Sequence, residues 1–451
     1  MSSGSMAKTN RINIAEFFDP RPLSSYQAGI FVLCLCVTLM DGYDSQAIGV
    51  AGPSIAQMLH LSPKALGVVF SASYFGAMAG ALTFGTLADR FGRKKMLVAS
   101  ALVFGVFCLA ITQITTVGEL ALFRFLAGIG LGGAVPNAVA LGTEYSPKRL
   151  RASLATWMWV GIPGGSVLVG IIGVYVLPKY GWRSIFWIGG ILPVVIAFAV
   201  IFILPESLAF LVRQAKANGQ IRRVIAKIAP GAVEKPDMEF YTTEKKLPGV
   251  PLKHLFIEGR ALTTVLVWLL FYLSFLLLIF VTLWNPALLR RSGATLQQAS
   301  VSYTLWNAGA VLATLTVGRI MDKLNYHRAL AVIFVIAAIM VAFFGIFASN
   351  PFLLVACLSI LSGIFVAGGN AGMIALAALS YPPAIRGTGI GWAFAFGRFG
   401  AMTGPIVGGF LLGEGWSVGQ VCVAMATTSL VAAVAIMLLK VHVTSLARHA
   451  G

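Results

Sequence analysis

Asp41 and Asp44 stand three residues apart in the stretch LMDGYDSQAIG, inside an apolar run that begins near Gln27. On a helix this spacing puts both carboxylates on one face, about 4.5 Å apart along the axis. Two acids that close in a low dielectric favour each other's protonated form, desolvation adds to the effect, and they titrate as a pair. One chemistry open to them is loading and releasing a proton. The other is neutralisation of a buried cation, and Arg124, which also lies within an apolar run, is the candidate. The two are compatible, because protonating an aspartate releases the arginine.

Arg398 lies well inside another apolar run, at 387–411, that carries no acidic residue at its depth, and neither do its neighbours in the chain. An arginine so placed faces a cavity, a carboxylate or backbone carbonyls. A guanidinium binds a carboxylate bidentately, so an anionic ligand is one partner. Carbonyls released around Gly397, Gly400 and Gly404 are the other. Arg124 and Arg398 are thus the cations available to an anionic ligand, with Asn137, Asn370, Tyr303, Trp306 and Phe394 as polar and aromatic candidates to surround it. An asparagine in an apolar run needs a partner, which a ligand hydroxyl or carboxylate supplies. A single aromatic residue in such a chain more often packs or faces lipid.

These residues need elements that hold charge in an apolar medium. Of 451 residues, 58% are hydrophobic and 11% charged, and mean hydropathy is +0.88. Soluble proteins carry roughly 25% charged residues, so the solvent here is lipid. Twelve runs are long enough to span: 27–50, 65–88, 96–114, 119–142, 153–176, 184–204, 261–285, 299–321, 329–348, 352–378, 387–411 and 418–440. The expected fold is an all-α membrane protein with six plus six helices. Its segments are an N-terminal stretch at 1–26, a first bundle at 27–204, a linker at 205–260, a second bundle at 261–440 and a tail at 441–451. The first run is too long for a cleavable leader and follows a polar stretch, so it reads as a retained helix.

The net charge of +18 does not point to nucleic acid, because the basic residues fill short gaps between apolar runs rather than one polar face. With the N-terminus cytoplasmic, Arg90, Arg93, Lys94, Lys95, Lys148, Arg149 and Arg151 fall inside, as does the basic linker. Lys64, Lys179, Arg183, Arg290 and Arg291 fall outside, and both termini are then cytoplasmic. The linker reads as a solvated, partly amphipathic tether that touches anionic lipid. A shift of 233 residues carries Pro53 onto Pro286, Gly76 onto Gly309, Gly85 onto Gly318, Asp89 onto Asp322 and Asn137 onto Asn370. Parallel repeats of this kind imply two bundles that rock about a site between them.

GTLADRFGRKK at Gly85 to Lys95 resembles the loop signature of the major facilitator superfamily, and GRIMDKLNYHR at Gly318 to Arg328 resembles its degenerate second copy. RFLAGIGLGG from Arg124 and LPES at Leu204 to Ser207 are similar to its helix 4 and helix 6 motifs. Within that superfamily, DGYD followed by AIGVAGPSI resembles the first helix of the aromatic acid:proton symporters, with Arg124, Glu144, Asp322, His327, Arg386 and Arg398 where that family keeps charges. The resemblance implies proton-coupled import of a hydroxybenzoate-like acid across a bacterial inner membrane, by a carrier that works as a monomer without a cofactor. It also implies an inner gate of Asp89 and Arg93 with Glu144 and Arg151. Asn325 and Tyr326 stand where the first copy has Gly92 and Arg93, which loosens the expected latch there.

Arg90, Asp322, His327 and Arg386 sit at helix ends near water, where a topology signal accounts for them as well as gating does, and His327 as a proton relay is the weaker alternative. An enzyme would need a nucleophile, metal or cofactor constellation; the five cysteines and five histidines show no such spacing. A sensor of the same fold would most naturally carry an added signalling domain. The remaining rivals are carriers of another organic anion, such as muconate or phthalate, drug or metabolite exporters, and a neutral-sugar carrier, which would leave Arg398 without a partner.

Overall fold

The structure, a computed structural model, describes residues 11–13, 17–214, 218–229, 239–241, 252–257, 259–321, 325–382 and 385–449. Twelve long helices appear among them: α1 (Ser25–Met58), α2 (Pro63–Phe91), α3 (Arg93–Ile111), α4 (Val117–Glu144), α5 (Lys148–Tyr175), α6 (Arg183–Ile203), α7 (Ala261–Arg291), α8 (Leu296–Met321), α9 (Tyr326–Ile346), α10 (Phe352–Ser380), α11 (Arg386–Gly413) and α12 (Val418–His449). Most outrun the apolar stretches that announce them, and at α1 and α4 capping residues set the start. Ser24 accepts from the Gln27 N–H while the Gln27 side chain accepts from the Ser24 N–H, and Thr116 with Glu119 does the same for α4. Each cap contributes about 1 kcal/mol. The last helix continues to His449, past the expected end at 440, because nothing in KVHVTSLARH stops a helix.

Ten of the twelve are apolar and long enough to cross a membrane. The other two, α8 and α11, are diluted by Gln297, Gln298, Ser300, Ser302, Thr304 and Asn307 in one and by Arg386, Arg398 and many glycines in the other. Both pack against helices of the opposite half, so much of their surface avoids lipid.

In the first six the main helix pairs are α1–α5, α2–α4, α3–α4 and α3–α6, and the second six repeat them as α7–α11, α8–α10, α9–α10 and α9–α12. Lipid offers no hydrophobic drive between helices, so close backbone approach over small residues holds such pairs. A Cβ on Gly42 would collide with the Ile162 backbone of α5, and one on Gly400 with the Tyr272 backbone of α7, at equivalent crossings of the two halves. The halves meet through α1–α7, α2–α11 and α5–α8.

Between α6 and α7, short helices run over Leu208–Arg213 and Asn218–Ile228. The second buries Ile221, Ile225 and Ile228 and turns Arg223 and Lys227 outward, with Lys227 over the Tyr26 ring. Arg11–Asn13 pairs in parallel with Glu239–Tyr241, so the segment before α1 and the linker meet at the end of the molecule where α1 begins and α12 finishes, the terminus-bearing end.

Candidate functional site

The two aspartates occupy different surroundings. Asp44 is wholly buried, and its carboxylate lies 3.3 Å from Arg124 Nη1, whose side chain is also wholly buried. Arg124 donates further to the Asp44 carbonyl at 3.2 Å and to Ser73 Oγ at 2.8 Å. Cys108 Sγ donates to the other Asp44 oxygen at 3.1 Å. Four elements, α1 to α4, thus meet at one sealed ion pair. Glycine packing sets its geometry: Gly128, one turn below Arg124, lets α4 close onto the Ser73 backbone.

Asp41, one turn away, faces open space. With Ser45, Ser73, Tyr74, Trp159, Phe275 and Arg398 it lines a cavity of about 230 Å³ between the two halves, completed by small and aliphatic residues of α4, α5, α7 and α11. Asp41 and Arg398 lie near the middles of α1 and α11 and attract each other across this space. Arg398 therefore finds its acid in the opposite half rather than in α10 to α12, and the carbonyl it reaches is Ala77 of α2, at 3.4 Å, not one of the carbonyls around Gly397, Gly400 or Gly404. A larger recess of about 980 Å³, near Arg291, Ser349 and Trp416, lies among helix ends and includes neither aspartate.

The other ring-binding candidates stand outside the cavity wall in this conformation. Asn137 donates to Gly133 of its own helix at 2.8 Å, and Asn370 donates to Ser274 Oγ at 3.2 Å. Tyr303 and Trp306 are buried, Tyr303 where α8 crosses Gly170 of α5 and Trp306 against Gly363 of α10. Phe394 packs edge-on against Phe275, which does line the cavity, so it supports the wall from behind.

The halves are joined tightly on the side away from the termini. Ser71 Oγ donates to the Met402 carbonyl at 2.7 Å, and the Phe70 and Trp284 rings meet edge to face, with Trp284 held within the second half by its Nε1 hydrogen bond to the Pro405 carbonyl at 3.1 Å. Beyond them Lys64 Nζ pairs with Glu414 at 2.6 Å. Away from these contacts the wall residue Trp159, near the middle of α5, is 49% exposed, so the cavity is not sealed on that flank.

The charges at the terminus-bearing end assemble within the first half. Arg93 pairs with Glu144, whose second oxygen accepts from Ser207 Oγ at 2.6 Å. Glu206 accepts from the Lys94 backbone N–H at 2.9 Å, an anion placed on the first turn of α3. Gly92, at φ +101°, makes the turn into α3, and a Cβ there would strike the Glu206 carboxylate. Asp89 and Arg90 are exposed, Arg90 near the Phe91 ring; Arg151 is half-buried with no partner for its Nε. In the second half His327 is half-buried in the first turn of α9 and Arg386 is exposed, its Nε 3.4 Å from the Tyr381 carbonyl. Asp322 lies outside the described residues.

The sequence reading missed Ser45, Ser73, Tyr74, Trp159, Phe275 and Cys108. Helical spacing could have found some of them: Ser45 follows Asp41 by one turn, and Ser73, Tyr74 and Ala77 share a face of α2.

The sequence profile of the Major Facilitator Superfamily matches residues 34–341 and 280–450. The 4-hydroxybenzoate transporter PcaK of Pseudomonas aeruginosa is 37% identical over 97% of this chain and 98% of its own length. The gallate transporter of Pseudomonas putida is 34% identical over 94% of each chain. Among solved structures, the inward open conformation of the xylose transporter XylE from E. coli superposes with a TM-score of 0.70 at 18% identity, covering 91% of this chain and 96% of that one. Matched along nearly its whole length, the chain belongs to the Major Facilitator Superfamily.

Proposed function

We propose that this chain is a proton-coupled symporter that imports an aromatic carboxylate, such as 4-hydroxybenzoate or protocatechuate, by alternating access. The observation that carries the reading is the placement of Asp41 and Arg398 on one cavity between the halves. At about 230 Å³ it is smaller than the roughly 300 to 1,000 Å³ typical of drug-sized pockets, which suits a single-ring acid. Tyr74, Trp159 and Phe275 offer faces for the ring. The 4-hydroxybenzoate and gallate carriers matched above support this cargo class.

The coupling follows from charge. An empty cavity with Arg398 opposite an ionised Asp41 is balanced. A carboxylate ligand that takes Arg398 would sit beside a second anion, and the two repel in a low dielectric unless Asp41 is protonated. Ligand and proton therefore load together and leave together. Asp44, sealed against Arg124, serves as a fixed anion rather than the carrier of the transported proton. One monoanion with one proton moves no net charge and draws only on the pH gradient. A second proton would add about 2.3 kcal/mol per 100 mV.

The terminus-bearing end is assigned to the cytoplasm of a bacterial inner membrane, on the strength of its basic loops. With the halves joined on the far side, the cavity is assigned to an inward-facing state, and the protein acts as a monomer. Asp89, Arg93, Glu144 and Arg151 would close the cytoplasmic side when the far side opens. The test is saturable uptake of labelled 4-hydroxybenzoate into proteoliposomes under an inward proton gradient, with unlabelled competitors. Competition by protocatechuate but not by 4-hydroxybenzyl alcohol, which lacks the carboxylate, supports the reading. Absence of uptake, or equal competition by the alcohol, contradicts it.

A further inference from the structure

Ser73 differs from the other serine and threonine hydroxyls of α2 in where its proton goes. Thr83 and Thr86 donate to carbonyls one turn back in their own helix, at 2.9 Å in each case, and Ser71 donates to Met402 across the interface. Such hydroxyls commit their proton to backbone. Ser73 does not. Among the described residues its one hydrogen bond is the one it accepts from Arg124 Nη2 at 2.8 Å, and because arginine only donates, the hydroxyl proton of Ser73 is uncommitted. The side chain is 3% exposed, and it lines the cavity that holds Asp41 and Arg398. A hydroxyl whose oxygen is held by a buried cation is a strengthened donor, and the cavity is where its proton can go.

We propose that Ser73 is a substrate-binding residue whose hydroxyl donates to the carboxylate of the ligand. This rests on the aromatic-acid reading above and adds a second recognition point, on α2, to Arg398 on α11. The two donors stand on opposite halves, so one carboxylate held by both ties the halves together around the cargo. The hydroxyl also connects the cavity to the sealed pair, since the oxygen that faces Arg124 carries the proton that faces the ligand. Ser73 selects for an anionic oxygen in the cargo, and it does so irrespective of substituents on the ring.

The test is the uptake kinetics of benzoate and 4-hydroxybenzoate by the wild type, Ser73→Ala and Ser73→Cys in proteoliposomes. The alanine loses the donor, while the cysteine keeps the volume and offers only a weak one. A hydrogen bond to a charged group predicts a rise in KM of about tenfold or more for both acids with Ser73→Ala. Ser73→Cys should show a smaller rise, with maximal rates within about twofold of wild type. The proposal is overturned if KM is unchanged, if it rises for the hydroxylated acid alone (a contact with the phenol instead), or if maximal rate falls with KM unchanged. If Ser73→Ala does not accumulate in the membrane, the same criteria apply to the cysteine variant. Failure of the wild type to take up either acid would instead sink the cargo assignment on which the proposal rests.

Discussion

The Asp44 carboxylate and the Arg124 guanidinium lie 3.3 Å apart with neither side chain reaching solvent. Removing one member of a buried pair leaves the other charge uncompensated, which costs about 3 to 5 kcal/mol. Asp44→Asn and Arg124→Gln should each lower the thermal midpoint of the purified protein sharply. The double variant should cost less than the two single effects combined, because it strands no charge. Single variants that melt with the wild type would show that the pair holds nothing together.

The far side is held by two kinds of contact of unequal weight. Lys64 and Glu414 pair at 2.6 Å, but both side chains are about half exposed, and such a pair contributes at most about 1 kcal/mol. Deeper in, a Cβ on Gly67 would lie 2.6 Å from the Pro405 carbonyl and 3.3 Å from the Gly409 Cα. That backbone cannot yield without parting α2 from α11. Lys64→Ala should therefore shift the balance toward the far-side-open state by no more than about fivefold. Gly67→Ala should shift it further. Thiol labelling of a cysteine introduced at Ser71, in each background, reads both. Greater labelling with Lys64→Ala than with Gly67→Ala would reverse the ranking.

Asp19 ties the segment before α1 to the start of α5. Its carboxylate accepts from the Lys148 backbone N–H at 2.8 Å and pairs with Lys148 Nζ at 3.2 Å. The backbone hydrogen bond, ahead of the Lys148 charge, holds this carboxyl below its ordinary value of 3.8. A depressed acid stabilises the attached state above its free pKa, and the contribution disappears as pH falls through the lower, folded value. Hydrogen exchange of residues 17–22 should therefore be unchanged from pH 7 to 5 after correction for intrinsic rates, and protection should fall below about pH 4. Asp19→Asn should show the reduced protection at every pH. Equal protection in wild type and variant at pH 6 would remove the tether.

What the sequence could reveal followed the physics of each feature. Long apolar runs must be helices in lipid, because no other open structure satisfies the backbone there, so the spans and the six-plus-six order were legible. Their ends were less so, since caps such as Ser24 and Thr116 lie outside the apolar pattern. That one aspartate balances Arg124 was legible as an alternative, but the spacing of Asp41 and Asp44 could not say which. The crossing of α1 with α4 at Asp44 decides it. Depth along α11 marked Arg398 as central, yet its acid partner lay across the interface on α1, and depth carries no information about rotation. Ser73 and Tyr74 looked like ordinary residues of an apolar helix. Only the packing of α2 against α4 and α11 gives them neighbours with charge.

The central claim is that Asp41 exchanges a proton as the cargo carboxylate occupies Arg398. The most direct measurement is uptake of labelled 4-hydroxybenzoate in proteoliposomes by the wild type, Asp41→Asn and Arg398→Ala, with and without an inward proton gradient, alongside counterflow driven by unlabelled substrate. The account predicts that the gradient accelerates the wild type alone. Asp41→Asn, permanently neutral, should keep counterflow but ignore the gradient, and Arg398→Ala should lose both. Gradient-driven accumulation by Asp41→Asn at the wild-type level would contradict the account.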